Sequence, residues 1–102
     1  MPFKINSNDI TYATTTRGVN AYAPIRDASG LEVGRIDDKA EAIVATVHFE
    51  SLVHRTEFAS EAVKWAATNI TGYNKHSIDY HVSEYARALL EDAENELLNK
   101  GS

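Results

Sequence analysis

The sequence predicts an α+β fold, an antiparallel β-meander of four to five strands packed against two C-terminal helices. Three observations predict it. Segments rich in β-branched residues, alternating apolar with polar and separated by turn residues, fill positions 10–58. Apolar residues recur at helical spacing across 60–98. The 102 residues are 43% hydrophobic and 25% charged, which suits one ordinary domain with its own core.

The elements follow in order. Residues 1–9 carry Asn6, Ser7, Asn8 and Asp9 and read as an irregular lead-in. Ile10–Thr16 is β-branched and reads as a strand, closed by a turn at Arg17-Gly18. Residues 19–36 read as a β-hairpin. Val19, Ala21, Ala23 and Ile25 share one face, and Pro24 pushes that strand toward an edge or a bulge. Arg26-Asp27-Ala28-Ser29-Gly30 is its turn, because Asp and Ser bond the backbone ahead and glycine accepts a positive φ. Leu31, Val33 and Arg35 alternate with Glu32, Gly34 and Ile36 in the return.

The next stretch has two readings. As a strand, 42–49 turns Ile43, Ala45, Val47 and Phe49 inward and Val44, Thr46 and His48 outward, with 52–58 as its hairpin partner. The alternative is a helix from Asp38 to about His54. β-Branched residues at 43, 44, 46 and 47 favour the strand. Ser60 then caps a helix with a stripe of Val63, Ala66, Ala67 and Ile70, flanked by Trp65 and ended by Gly72. Ser77 caps the last helix, Ile78 to about Leu98, whose stripe runs Ile78, Val82, Tyr85, Ala86, Leu89, Leu90, Ala93 and Leu97. Gly101-Ser102 reads as a cloning scar. The expected core holds Ile43, Val47, Phe58, Val63, Trp65, Val82, Tyr85 and Leu89.

Composition narrows function. There is no cysteine, so disulfides, thiolate nucleophiles and iron–sulfur clusters are excluded. The longest apolar run, Ala42–Val47, is interrupted by Thr46 and is far too short to span a bilayer, and no signal-like segment opens the chain. The cytoplasm is the expected compartment, and Asn69-Ile70-Thr71 is then a chance match to a glycosylation acceptor. Fifteen acidic against ten basic residues leave a net charge of −5, which disfavours a phosphate-gripping role.

The candidate sites are few. His48, His54, His76 and His81 show no metal-ligand spacing, although His81 and Glu84 are three apart on a helix. Asp37-Asp38 are adjacent, so a strand would turn them to opposite faces. Gly30 and Gly34 do not form a phosphate loop, and Gly34 is better read as a bulge or a close backbone approach. Tyr12 and Tyr22 among Arg17, Arg26 and Arg35 form a thin version of a single-stranded nucleic-acid platform.

The last helix is the most informative element. It carries Asp79, Glu84, Glu91, Asp92, Glu94 and Glu96 against only Arg87 and Lys100. Glu94 and Glu96 sit where the helix dipole disfavours negative charge. Glu84, Arg87, Glu91 and Glu94 recur on one face opposite the apolar stripe, a surface suited to a basic or nucleic-acid-binding protein partner. Leu89, Leu90, Leu97 and Leu98 spread wider than one sheet covers, which predicts a homodimer through Leu90 and Leu98.

A β-meander followed by a helix with a tryptophan resembles small bacterial and phage proteins. Among these are phage inhibitors that bind a host protein by a sheet edge or an acidic surface. The likeness is architectural, rests on no motif and assigns no residue. It implies binding rather than catalysis. The first functional expectation is therefore a non-enzymatic protein-binding module, an inhibitor or adaptor acting through the acidic helix face, with no catalytic residue, metal or cofactor. Two alternatives stand beside it. One is a small metal-dependent or hydrolytic enzyme using His48, His54 or His81. The other is a single-stranded nucleic-acid binder using the sheet tyrosines.

Overall fold

The computed structural model describes residues 2–100, so the expected scar at 101–102 lies outside the described residues. Five strands, β1 (Phe3–Lys4), β2 (Thr11–Thr15), β3 (Gly18–Asp27), β4 (Glu32–Asp38) and β5 (Thr46–Phe49), precede two helices, α1 (Leu52–Asn69) and α2 (Ile78–Lys100). All pairings are antiparallel. β3 is the central strand: β1 and β2 lie end to end along one side of it, and β4 then β5 along the other. The α+β expectation holds.

The β3–β4 hairpin forms as the sequence predicts. Asp27 accepts bonds from the Ser29 and Leu31 amides and from the Ser29 hydroxyl, closing the turn. Strict alternation fails at one point. Ile25 pairs with Gly34 but Arg26 pairs with Glu32, which leaves Val33 as an extra residue. This bulge lets Val33 and Ile36, of opposite parity, both enter the core. Gly34 is fixed by close approach: a β-carbon there would stand 2.5 Å from both the His48 carbonyl oxygen and the Phe49 ring.

The lead-in is not irregular throughout. Phe3 and Ile5 are buried, and β1 pairs with the end of β3. The larger correction lies at 40–60. Only Thr46–Phe49 is strand, and 52–58 is the start of α1 rather than a hairpin partner. The alternative helix over 38–54 fails too. Ile43, placed in the core by alternation, is 92% exposed. The β4–β5 register pairs Asp37 with Thr46, so a partner for Ile43 would have to be Ala40, which already belongs to the connecting loop.

α1 begins after Ser51, not Ser60, and Ser51 makes no side-chain capping bond. Its buried stripe is Phe58, Ala62 and Ala66, flanked by a half-buried Trp65, while Ala67 is exposed. α1 ends at Asn69 on an extended Ile70, so Gly72 does not close it as predicted, although Gly72 keeps a left-handed φ of 68° in the connector. α2 is capped as expected, with the Tyr80 amide donating to Ser77 Oγ at 3.1 Å. Both Leu89 and Leu90 are in the core, because α2 packs on the sheet with one flank and on α1 with the other.

One aromatic cluster ties the layers together. The Phe58 ring lies 5.1 Å from Phe3 on β1, 5.0 Å from Phe49 on β5 and 5.0 Å from Tyr85 on α2. Trp65 meets Tyr85 at 5.8 Å. Burial pushes the Tyr85 hydroxyl up to about 12, with the Glu61 charge adding to the rise.

Candidate interaction surface

The acidic face expected on α2 is engaged within the chain over most of its length. Arg87 pairs with Asp38 at 3.1 Å and Glu84 at 3.7 Å, and donates to the Ile43 carbonyl at 3.2 Å. Glu94 accepts the Tyr12 hydroxyl at 2.9 Å, and this bond and burial raise the Tyr12 pKa, burial being the larger cause. These residues therefore flank the sheet rather than standing opposite the apolar stripe. Glu91 is exposed.

The dimer residues divide. Leu90 is 1% exposed within the single chain and cannot serve an interface, whereas Leu98 is 71% exposed.

The histidines sit on separate elements. His48 is exposed on β5, 3.8 Å from Asp37, while His54 is on α1. His81 is buried on α2, beside the rings of Tyr73, His76 and Tyr80. Among the described residues, its Nδ1 has no hydrogen-bond partner. Among the described residues, no three His, Asp or Glu side chains converge on a metal position. The sheet tyrosines do not form one platform either. Thr11 pairs with Tyr22 and Tyr12 with Ala21, so Tyr12 shares the helix-covered face of Ala21 and Tyr22 points to the open face. Among the described residues, no helix is long and apolar enough to cross a membrane.

A different surface stands out. Among the described residues β5 is an edge strand, paired on one side only, with β4. Beside it runs a groove of about 630 Å³ whose walls include Val44, Val47, Arg55, Ile78 and Asp79. Four aliphatic residues around this margin are exposed: Ile43, Val44, Leu52 and Ile78. Leu52 lies on the helix face that carries the wall residues Arg55 and Ala59.

The backbone beside the groove is partly tied down. Ser83 donates to the Ala45 carbonyl at 2.9 Å and Arg87 to the Ile43 carbonyl, so both carbonyls point toward α2 and away from β4. Within β5 the His48 carbonyl faces Gly34 of β4, so strand alternation turns the Val47 amide and carbonyl outward. Sequence reasoning missed this surface because it read Ile43 as an inward strand residue and Leu52 as the start of its hairpin partner. The available signal was the surplus of aliphatics at 43, 44, 52 and 53 within one short segment.

No protein-family model, curated protein or solved structure matches this chain.

Proposed function

We propose that the chain is a non-enzymatic protein-binding module that takes an extended polypeptide segment along β5. One observation carries the reading: an open strand edge and four exposed aliphatic residues occupy the same margin. Strand addition uses main-chain bonds for affinity and adjoining apolar pockets for selectivity, and this margin offers both. An exposed edge lined with aliphatics is otherwise a liability that proteins blunt with charge or proline.

The acidic face is the weaker surface, because Glu84, Arg87 and Glu94 are held by the chain's own groups. Dispersed histidines give little support to an enzyme, and tyrosines on opposite faces give little to a nucleic-acid platform.

Capture by immobilised protein, compared across three forms, separates the surfaces. Binding lost in Leu52→Asp/Ile78→Asp but kept in Glu91→Lys/Glu94→Lys is the expected result. The reverse pattern transfers the function to the acidic face.

A further inference from the structure

We infer that the segment seated on β5 is β5 of a second copy, joined across a twofold axis at Val47; this rests on the reading above. Three features lead there.

The first is the distribution of free backbone groups. At this edge the Ile43 and Ala45 carbonyls already accept bonds from Arg87 and Ser83. Val47 presents one outward amide and one outward carbonyl. Two antiparallel copies centred on Val47 would exchange these as a reciprocal two-bond pair, the contact a twofold axis allows. Ala45 would then lie opposite Phe49 of the second copy, whose amide reaches the second lone pair of the Ala45 carbonyl.

The second is the sidedness of the sheet. Pairing about Val47 sets odd residues against odd and even against even. Helices of both copies then lie on one face, and the sheet continues without interruption. A register displaced by one residue would put the helices on opposite faces and face Val47 with His48.

The third is charge. Two chains of net charge −5 can meet only where the local balance is favourable. The groove is walled by Arg55 and Asp79, one of each sign. Glu91, Asp92, Glu94 and Glu96 begin twelve residues beyond Asp79 on α2, about 18 Å away at 1.5 Å per residue, which is more than two Debye lengths at physiological salt. The exposed leucines Leu97 and Leu98 lie in that acidic end and lack this advantage. Covering the four aliphatics on both copies buries on the order of 1,000 Å², at the lower limit for a specific interface.

The absence of cysteine makes the register directly testable. Thr46 of one copy would face His48 of the other on the open side, both exposed, at a Cα separation of about 4.5 Å that a disulfide spans. An oxidised mixture of Thr46→Cys and His48→Cys chains should cross-link to the mixed dimer at least about tenfold better than either alone. Sedimentation should show a dimer at tens of micromolar, reduced to monomer in Leu52→Asp/Ile78→Asp with an unchanged circular-dichroism spectrum. A mixture that cross-links no better than the single variants overturns the inference, as does a dimer indifferent to the rim substitutions. A monomer that still captures a partner through the rim overturns it while the binding reading stands. A monomer that captures nothing overturns both.

Discussion

The two margins of the sheet are built on different plans. Along the β1/β2 margin the edge is cut in two by a 3-10 turn at Ser7–Asp9, and the longer piece is Thr11-Tyr12-Ala13-Thr14-Thr15. Asp9 in that turn pairs with Arg26 at 2.9 Å, and Tyr12 is tied to Glu94. Along the β5 margin the strand is short but bordered by Ile43, Val44, Leu52 and Ile78. Polar, interrupted edges are the ordinary defence against unwanted strand pairing. One margin is polar and interrupted and the other is bordered by aliphatics, and the proposed association surface rests on this contrast.

The change with the largest effect should remove the contrast altogether. Phe58 touches Phe3 at one margin and Phe49 at the other. Phe58→Ala leaves a cavity at their meeting point and should cost about 3–5 kcal/mol in urea unfolding. Amide exchange should quicken in β1 and β5 together. A loss confined to one margin would show that the cluster does not join them.

Next in size is an alkaline effect centred on Tyr85. Its hydroxyl is raised from 10.0 to about 12, so the folded state favours the neutral phenol. That stability is complete below pH 10 and is lost as pH rises from 10 through 12, about 2–3 kcal/mol in all. Tyr85→Phe keeps a ring against Phe58 and Trp65 and should flatten most of this alkaline fall. Unfolding midpoints measured across that window provide the check, and an equally steep fall in the variant would refute the assignment.

Gly34 acts on one margin alone. Its missing β-carbon makes room for the Phe49 ring and the His48 carbonyl. Gly34→Ala must displace backbone and ring, so it should cost about 1–3 kcal/mol and free the β5 amides while leaving β2 unaffected. Exchange rates that rise equally in β2 would contradict the local account.

The same contrast shows what the sequence made legible. α2 and the β3–β4 hairpin are readable because their signals are local: a Ser77 cap, a sustained apolar period, an Asp27-x-Ser29 turn. Gly34 was readable as a close approach. The start of α1 was not, since Ser51 makes no capping bond and Leu52, Val53 and Thr56 resemble a strand. Burial at 43–49 was half readable. Ala45, Val47 and Phe49 keep the predicted parity and contact the core, but Ile43 lacks a partner because β4 ends at Asp38. The polar roles of Arg87 and Glu94 depend on Asp38, Ile43 and Tyr12, all at least 44 residues away. Helical spacing carries no information about such distant partners, so the face looked free.

The smallest expected effect lies at the β2 margin. Tyr12 is 46% exposed, and its hydroxyl donates to Glu94 at 2.9 Å. An exposed pair of this kind gains little after solvent screening, so Tyr12→Phe should change stability at neutral pH by no more than about 0.5 kcal/mol. The Tyr12 pKa is raised above 10.0, by burial and by the carboxylate it bonds. Its contribution is therefore whole below pH 10 and declines as pH climbs past that value, the same sign as Tyr85 but smaller because water screens it. Tyr12→Phe should leave the neutral unfolding midpoint almost unmoved and soften the alkaline decline slightly. A loss at neutral pH as large as that of Gly34→Ala would mean that the Tyr12–Glu94 bond, rather than β-strand chemistry, holds this margin closed.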